Sequence, residues 1–124
     1  FNTPPVFSIY VSLLTMRWLK NLGGIKAIDE INKTKAIVMY SEIDLNPLFN
    51  GFAAIEDRST MNATFNLINN DLKDTFESML KEAGIEGVNG HRSVGGYRAS
   101  MYNALSLDSV KVLVEVMSEL ETKA

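Results

Sequence analysis

From Val6 to Leu19, apolar side chains fall on nearly every side of a helix: Val6, Phe7, Ile9, Tyr10, Val11, Leu13, Leu14, Met16, Trp18 and Leu19 occupy most of its circumference. Such a pattern predicts a helix running from Pro5 to Leu22 and buried on several sides. Thr3-Pro4-Pro5 reads as its start, with Thr3 the candidate N-cap and proline tolerated at the first helical position. Gly23-Gly24 supplies the stop.

A second helix is predicted from about Ile25 to Ile43, with Ile28, Ile31 and Val38 on one stripe and Asp29, Glu30, Lys33 and Lys35 elsewhere. Asn46-Pro47 and Asn50-Gly51 mark a loop. Met61 to Leu67 alternates apolar and polar, the pattern of a strand buried on one face. Asn69-Asn70-Asp71 opens a third helix, in which Leu72, Phe76, Met79, Leu80 and Ala83 keep helical spacing, and Gly84 ends it. Two short strands are expected next, about Gly87 to Ser93 and Tyr97 to Tyr102, joined near Gly95-Gly96. Ser106 or Asp108 then caps a last helix with Val110, Leu113, Val114, Met117 and Leu120 inward. The order predicts one α+β domain over residues 1–124, a small, mostly antiparallel sheet packed with helices.

Composition narrows the chemistry. A net charge of −3 over 124 residues, with lysines and arginines scattered, argues against a nucleic-acid partner. The chain has no cysteine and one histidine, which excludes disulfides and a cysteine nucleophile and makes a zinc site improbable. Between Val6 and Leu22 the apolar run is broken by Ser8, Ser12, Thr15, Arg17, Lys20 and Asn21, too polar for a membrane span. The beginning at Phe1-Asn2-Thr3 reads as a cut inside a longer chain.

One stretch concentrates the anion-binding side chains. Gly90-His91-Arg92-Ser93-Val94-Gly95-Gly96-Tyr97-Arg98-Ala99-Ser100 holds the single histidine and two arginines around a Gly-Gly pair. On a strand from Tyr97 to Tyr102, alternation puts Tyr97, Ala99 and Met101 on one face and Arg98, Ser100 and Tyr102 on the other. The first set suits a core. The second sets a guanidinium beside two hydroxyls, and an arginine fork matches a carboxylate or phosphate at two points. His91 and Arg92 could reach toward the same place, and the glycines would admit backbone N–H groups to the same anion. A turn with solvated charges accounts for the spacing equally well.

The stretch from Gly90 to Ala104 closely resembles a signature near the C-terminus of the phosphoserine aminotransferases. Asn2-Thr3-Pro4-Pro5, Phe7-Ser8-Ile9-Tyr10, Trp18-Leu19-Lys20, Gly23-Gly24 and Asp57-Arg58-Ser59-Thr60-Met61-Asn62 match the same family in the same order. Tyr97 departs from it, standing where methionine is expected.

The resemblance implies the C-terminal small domain of a pyridoxal-phosphate aminotransferase of fold type I, a cytoplasmic homodimer. The family moves an amino group between glutamate and 3-phosphohydroxypyruvate, giving O-phosphoserine and 2-oxoglutarate in serine biosynthesis. The large domain, with the lysine that binds the cofactor covalently, would lie upstream. No lysine here stands in that context, so this chain by itself is expected to be inactive. Arg98 matches the residue that clamps the substrate α-carboxylate. His91 and Arg92 match residues that contact the substrate phosphate with help from the partner subunit; whether His91 does so as a neutral donor or as a cation stays open. Asn2 and Thr3 match residues that reach the cofactor phosphate of the neighbouring subunit, and Trp18 reads as packing. The residues alone also fit a stand-alone module that binds a phosphorylated metabolite without chemistry, or an interface domain with no ligand.

Overall fold

In the computed structural model, residues 2–91 and 95–124 are described. Contacts divide the chain into two units, residues 1–31 and 32–124.

The first unit holds α1 (Val6–Asn21) and the beginning of α2 (Gly24–Leu45). Between them Gly23 and Gly24 take φ of 110° and 80°, a left-handed conformation that β-carbon-bearing residues avoid, so α1 stops where the glycines were expected to stop it. Two expectations are corrected. The residue flanking the start of α1 is Pro5, with no side chain capping the helix, so Thr3 is not the N-cap. None of the residues of α1 is buried in this chain. A helix that is apolar all round needs cover on several sides, and one following helix segment does not provide it.

The second unit is a three-stranded antiparallel sheet with helices packed on one face. Its strands are β1 (Phe49–Gly51), β2 (Asn62–Leu67) and β3 (Tyr97–Ser100), in the order β1-β2-β3. Phe49 pairs with Leu67 and Gly51 with Phe65; on the other side Asn62 pairs with Ser100, Thr64 with Arg98 and Phe65 with Tyr97. β2 alternates as its sequence requires, burying Ala63, Phe65 and Leu67 and turning Asn62, Thr64 and Asn66 outward. The expected faces of β3 are present too: Tyr97, Ala99 and Met101 are buried, and Arg98 is exposed.

The buried face joins one core with Met39 and Ile43 of α2, Phe76, Met79 and Leu80 of α3 (Lys73–Glu82), and Val110, Leu113, Val116, Met117 and Leu120 of α4 (Leu107–Lys123). A 3-10 turn at Asn70–Leu72 precedes α3, and Gly84 closes it with φ of 71°. Ser106, not Asp108, caps α4, its hydroxyl accepting from the Ser109 N–H at 3.1 Å. Val116 is buried where Val114 was expected, and Val114 is half-buried.

Three further readings change. Asn50-Gly51, expected in a loop, lies in β1. Among the described residues no strand spans 87–91; a single bridge links Asn89 to Tyr97. Lys35, placed on the polar side of α2, is wholly buried, and Val38 is only half-buried. No described helix is long and apolar enough to cross a membrane.

Candidate functional site

The outward face of the sheet is polar because strand alternation puts it there, and Arg98 stands on it directly across from Thr64. Ser100 and Asn62 form the next cross-strand pair, the Ser100 hydroxyl donating to Asn62 Oδ1 at 3.3 Å while Asn62 Nδ2 donates to the Tyr102 hydroxyl at 3.4 Å. Among the described residues no hydrogen bond or ion pair engages the Arg98 guanidinium, so its planar fork of donors is available to a ligand.

Glycine is required around the turn before β3, by backbone conformation at Gly95 and by close approach as well at Gly96. Gly95 and Gly96 take φ of 76° and 65°. The Gly95 N–H donates to the His91 carbonyl at 2.8 Å, and the Gly90 N–H donates to the Gly96 carbonyl at 2.9 Å. A Cβ at Gly90 would run into the Gly95 carbonyl, and one at Gly96 into the Asn66 side chain. The chain therefore closes back on itself at this point and presents His91 beside the N-terminal end of β3.

His91 and Arg98 line one recess of about 240 Å³, with Phe52, Thr64 and Asn66 around it. The structure thus brings together two of the three residues expected to bind the substrate. The third, Arg92, lies outside the described residues. A second recess of about 320 Å³ also borders His91, lined by Lys73 and Glu77 of α3 and by Tyr97. Tyr97 packs its ring between Phe65 and Phe76, at centroid distances of 5.6 and 5.1 Å. The substitution for methionine is therefore absorbed by an aromatic cluster. Its hydroxyl is buried without a partner among the described residues, and burial together with the Glu77 charge pushes its pKa up.

Asn2 and Thr3 are exposed ahead of α1 in the first unit. Pro4 and Pro5 have no N–H, and the Val6 N–H turns back to the Pro4 carbonyl at 2.8 Å. The next amides, of Phe7 and Ser8, belong to the first turn, where helix geometry leaves N–H groups without intrahelical acceptors. No acidic residue lies in that turn and no side chain caps it. Such an end fits a phosphate group, which the helix dipole also favours.

Three residues around the site were missed by sequence reading. Lys35 Nζ donates to the carbonyls of Met101 (2.9 Å), Tyr102 (2.9 Å) and Leu105 (3.1 Å), and Asn32 Nδ2 donates to Asn103 Oδ1 at 2.7 Å. Together they fasten the segment after β3 to α2. Burial pulls the Lys35 pKa below 10.5, while three convergent acceptors favour the ammonium. Its spacing to Met39 and Ile43 would have placed it on the inward stripe; its charge argued the other way. Phe52 is the third, and no pattern marked it, since it follows a pair of turn residues.

Comparison with known proteins bears on the fold and the family. The family model for class-V aminotransferases matches residues 1–113. The chain is 66% identical to the phosphoserine aminotransferase of Flavobacterium psychrophilum over 99% of its own length and 35% of that protein's. A solved phosphoserine aminotransferase superposes with a TM-score of 0.92 at 47% identity, covering 99% of this chain and 35% of the other. The PLP-bound phosphoserine aminotransferase of Trichomonas vaginalis superposes with a TM-score of 0.85 at 37% identity, covering 95% and 34%. The chain spans about a third of the length of the relatives it matches. With the family model extending from the first residue into α4, and with the sheet, the glycine turn and Arg98 all inside the matched region, the chain belongs to the class-V aminotransferases.

Proposed function

We propose that the protein containing this chain is a phosphoserine aminotransferase, exchanging an amino group between glutamate and 3-phosphohydroxypyruvate to give O-phosphoserine and 2-oxoglutarate. It works as a cytoplasmic homodimer with pyridoxal phosphate, and this chain is its C-terminal small domain, with a large domain upstream. The observation that carries the reading is the Arg98 guanidinium, unengaged by protein among the described residues and sharing a recess with His91. Arg98 holds the α-carboxylate that every amino-acid substrate carries. His91 and Arg92 take the phosphate, with the partner subunit completing that end. Asn2 and Thr3, at an uncapped helix start, approach the cofactor phosphate of the neighbouring subunit. The cofactor, when bound, supplies the electron sink for the carbon that exchanges its amino group. Its covalent lysine belongs to the large domain. Here Lys35 is committed to three carbonyls, and Lys73, Lys111 and Lys123 pair with surface carboxylates.

The two ends of the anion site make different demands, and single-turnover kinetics of each half-reaction in the full-length protein separates them. Phosphoserine and glutamate both present an α-carboxylate, but only phosphoserine presents a phosphate. A charge-assisted hydrogen bond contributes about 1.5–3 kcal/mol, so losing one costs roughly ten- to a hundredfold in kcat/KM. Arg98→Ala is expected to weaken both half-reactions to similar degrees. Arg98→Lys also damages both, because an ammonium does not reproduce the two-point fork. Arg92→Ala weakens the phosphoserine half more than the glutamate half. Equal losses from Arg92→Ala in both halves would show that Arg92 does not select phosphate.

A further inference from the structure

Phe52 stands where the sheet's alternation otherwise puts polar side chains. Its N–H donates to the Thr64 carbonyl at 3.0 Å, continuing the β1–β2 ladder one residue beyond Gly51. Thr64 in turn pairs with Arg98. Phe52, Thr64 and Arg98 therefore form one row across the three strands. With strands ~4.8 Å apart, the Phe52 and Arg98 backbones are about 10 Å from each other, and the short Thr64 side chain lies between them. Two long side chains flanking a short one leave a trough, the recess of about 240 Å³ that Phe52, Thr64 and Arg98 all line. The ring is 61% exposed and has no place in the hydrophobic core, so packing within this unit does not account for it.

We propose that Phe52 is an affinity-determining residue, the apolar wall of the carboxylate site, which keeps water and counterions away from the pair that Arg98 forms with a substrate carboxylate. The inference rests on the reading of Arg98 as the carboxylate clamp. Attraction between a guanidinium and a carboxylate varies inversely with the local dielectric, and mobile ions screen it where they have access. A ring facing the guanidinium across a narrow trough removes solvent from one side of the pair. Its effect is blind to the far end of the substrate, so it strengthens carboxylate binding equally for a phosphorylated and a non-phosphorylated amino acid. That separates it from His91 and Arg92.

The test uses the full-length protein with Phe52→Ala and Phe52→Leu, measuring both half-reactions, with glutamate and with phosphoserine, at low and high salt. Phe52→Ala is expected to raise KM for both substrates by the same factor, roughly three- to tenfold, with little change in the rate at saturation. It should also steepen the dependence of KM on salt. Phe52→Leu restores most of the loss because it restores apolar bulk. An unchanged KM and salt dependence in Phe52→Ala overturns the inference, as does an effect confined to one substrate. A lowered melting temperature without a change in KM also overturns it, by assigning the ring to packing against another part of the protein. If Arg98→Ala is damaging and Phe52→Ala is silent, this inference alone fails; if Arg98→Ala is itself silent in both half-reactions, the carboxylate reading fails and takes this inference with it.

Discussion

Lys35 shows how a single buried charge can organise a site it does not touch. A wholly buried ammonium has exchanged its water for three backbone carbonyls, and those carbonyls belong to the segment that leaves β3 just after Arg98. Replacing it with an apolar side chain of similar length takes this donor from all three carbonyls, leaving that of Tyr102 its bond from the Leu105 N–H at 2.9 Å. An unsatisfied buried polar group costs about 1–3 kcal/mol, and part of that loss is recovered when the segment rearranges. Lys35→Met is therefore expected to destabilise the protein by about 2–4 kcal/mol, read as a lower urea midpoint with an unchanged slope. A second charge acts at the other edge of the sheet. Arg58 donates two bonds of 2.7 Å to Asp44 and lies 4.6 Å over the Tyr40 ring, and a Cβ at Gly51 would stand 2.9 Å from its Nη2 atom. The hydrogen bonds from Arg58 hold the Asp44 carboxyl below its ordinary 3.8. A lowered folded pKa means the unfolded chain takes up the proton first as pH falls. The pair's stabilisation is thus fully present above about pH 3.8 and is lost as pH drops through the folded value. Acid titration of unfolding free energy should show this loss in the native protein and a flatter curve in Asp44→Asn. Identical acid limbs would remove Asp44 from the account. Asp44 is half exposed, so the pair contributes no more than about 1 kcal/mol at neutral pH.

At the scale of elements, legibility in the sequence followed periodicity. β2 and β3 were readable because each buries one face and alternates, and that alternation alone placed Arg98 outward and Tyr97 inward. α3 and α4 were readable because their apolar stripes keep helical spacing and end at recognisable caps. Where a short element carries no period, the signal failed. β1 has three residues, and its Asn50-Gly51 pair has turn chemistry; pairing with Asn66 and Phe65 overrides that local preference. The stretch from about Gly87 to Ser93 reads as a strand, yet among the described residues a single bridge from Asn89 keeps its register with Tyr97. Lys35 was misplaced because charge predicts exposure, whereas a helix turn can carry a charged side chain inward when carbonyls are waiting for it. The candidate site was legible in its chemistry but not in its walls. The type and spacing of His91 and Arg98 pointed to anion binding, while Phe52 enters the recess only through strand pairing to Thr64, a tertiary fact with no local signature.

At the scale of the whole molecule, the mismatch that matters is in α1. Phe7 is 79% and Met16 63% exposed, and Val6, Ile9, Tyr10, Leu13 and Leu14 are exposed as well. Soluble monomers rarely show contiguous apolar patches beyond a few hundred Å². In the proposed enzyme, a large domain and a partner subunit supply the missing cover. Alone, residues 1–124 hold the same apolar surface with nothing to spend it on but copies of themselves. Self-association of this segment is therefore expected, rising with concentration and accompanied by binding of a hydrophobic dye. Leu13→Glu combined with Leu14→Glu puts charge at adjacent positions, which face different sides of the helix and so interrupt two of its apolar stripes at once. Both residues lie on a helix with no buried residue, so the core of the second unit is left intact. The double variant should sediment as a smaller species and bind less dye while keeping the same cooperative unfolding of the sheet unit. A native segment that sediments as a clean monomer at high concentration, with little dye bound, would show that α1 needs no cover.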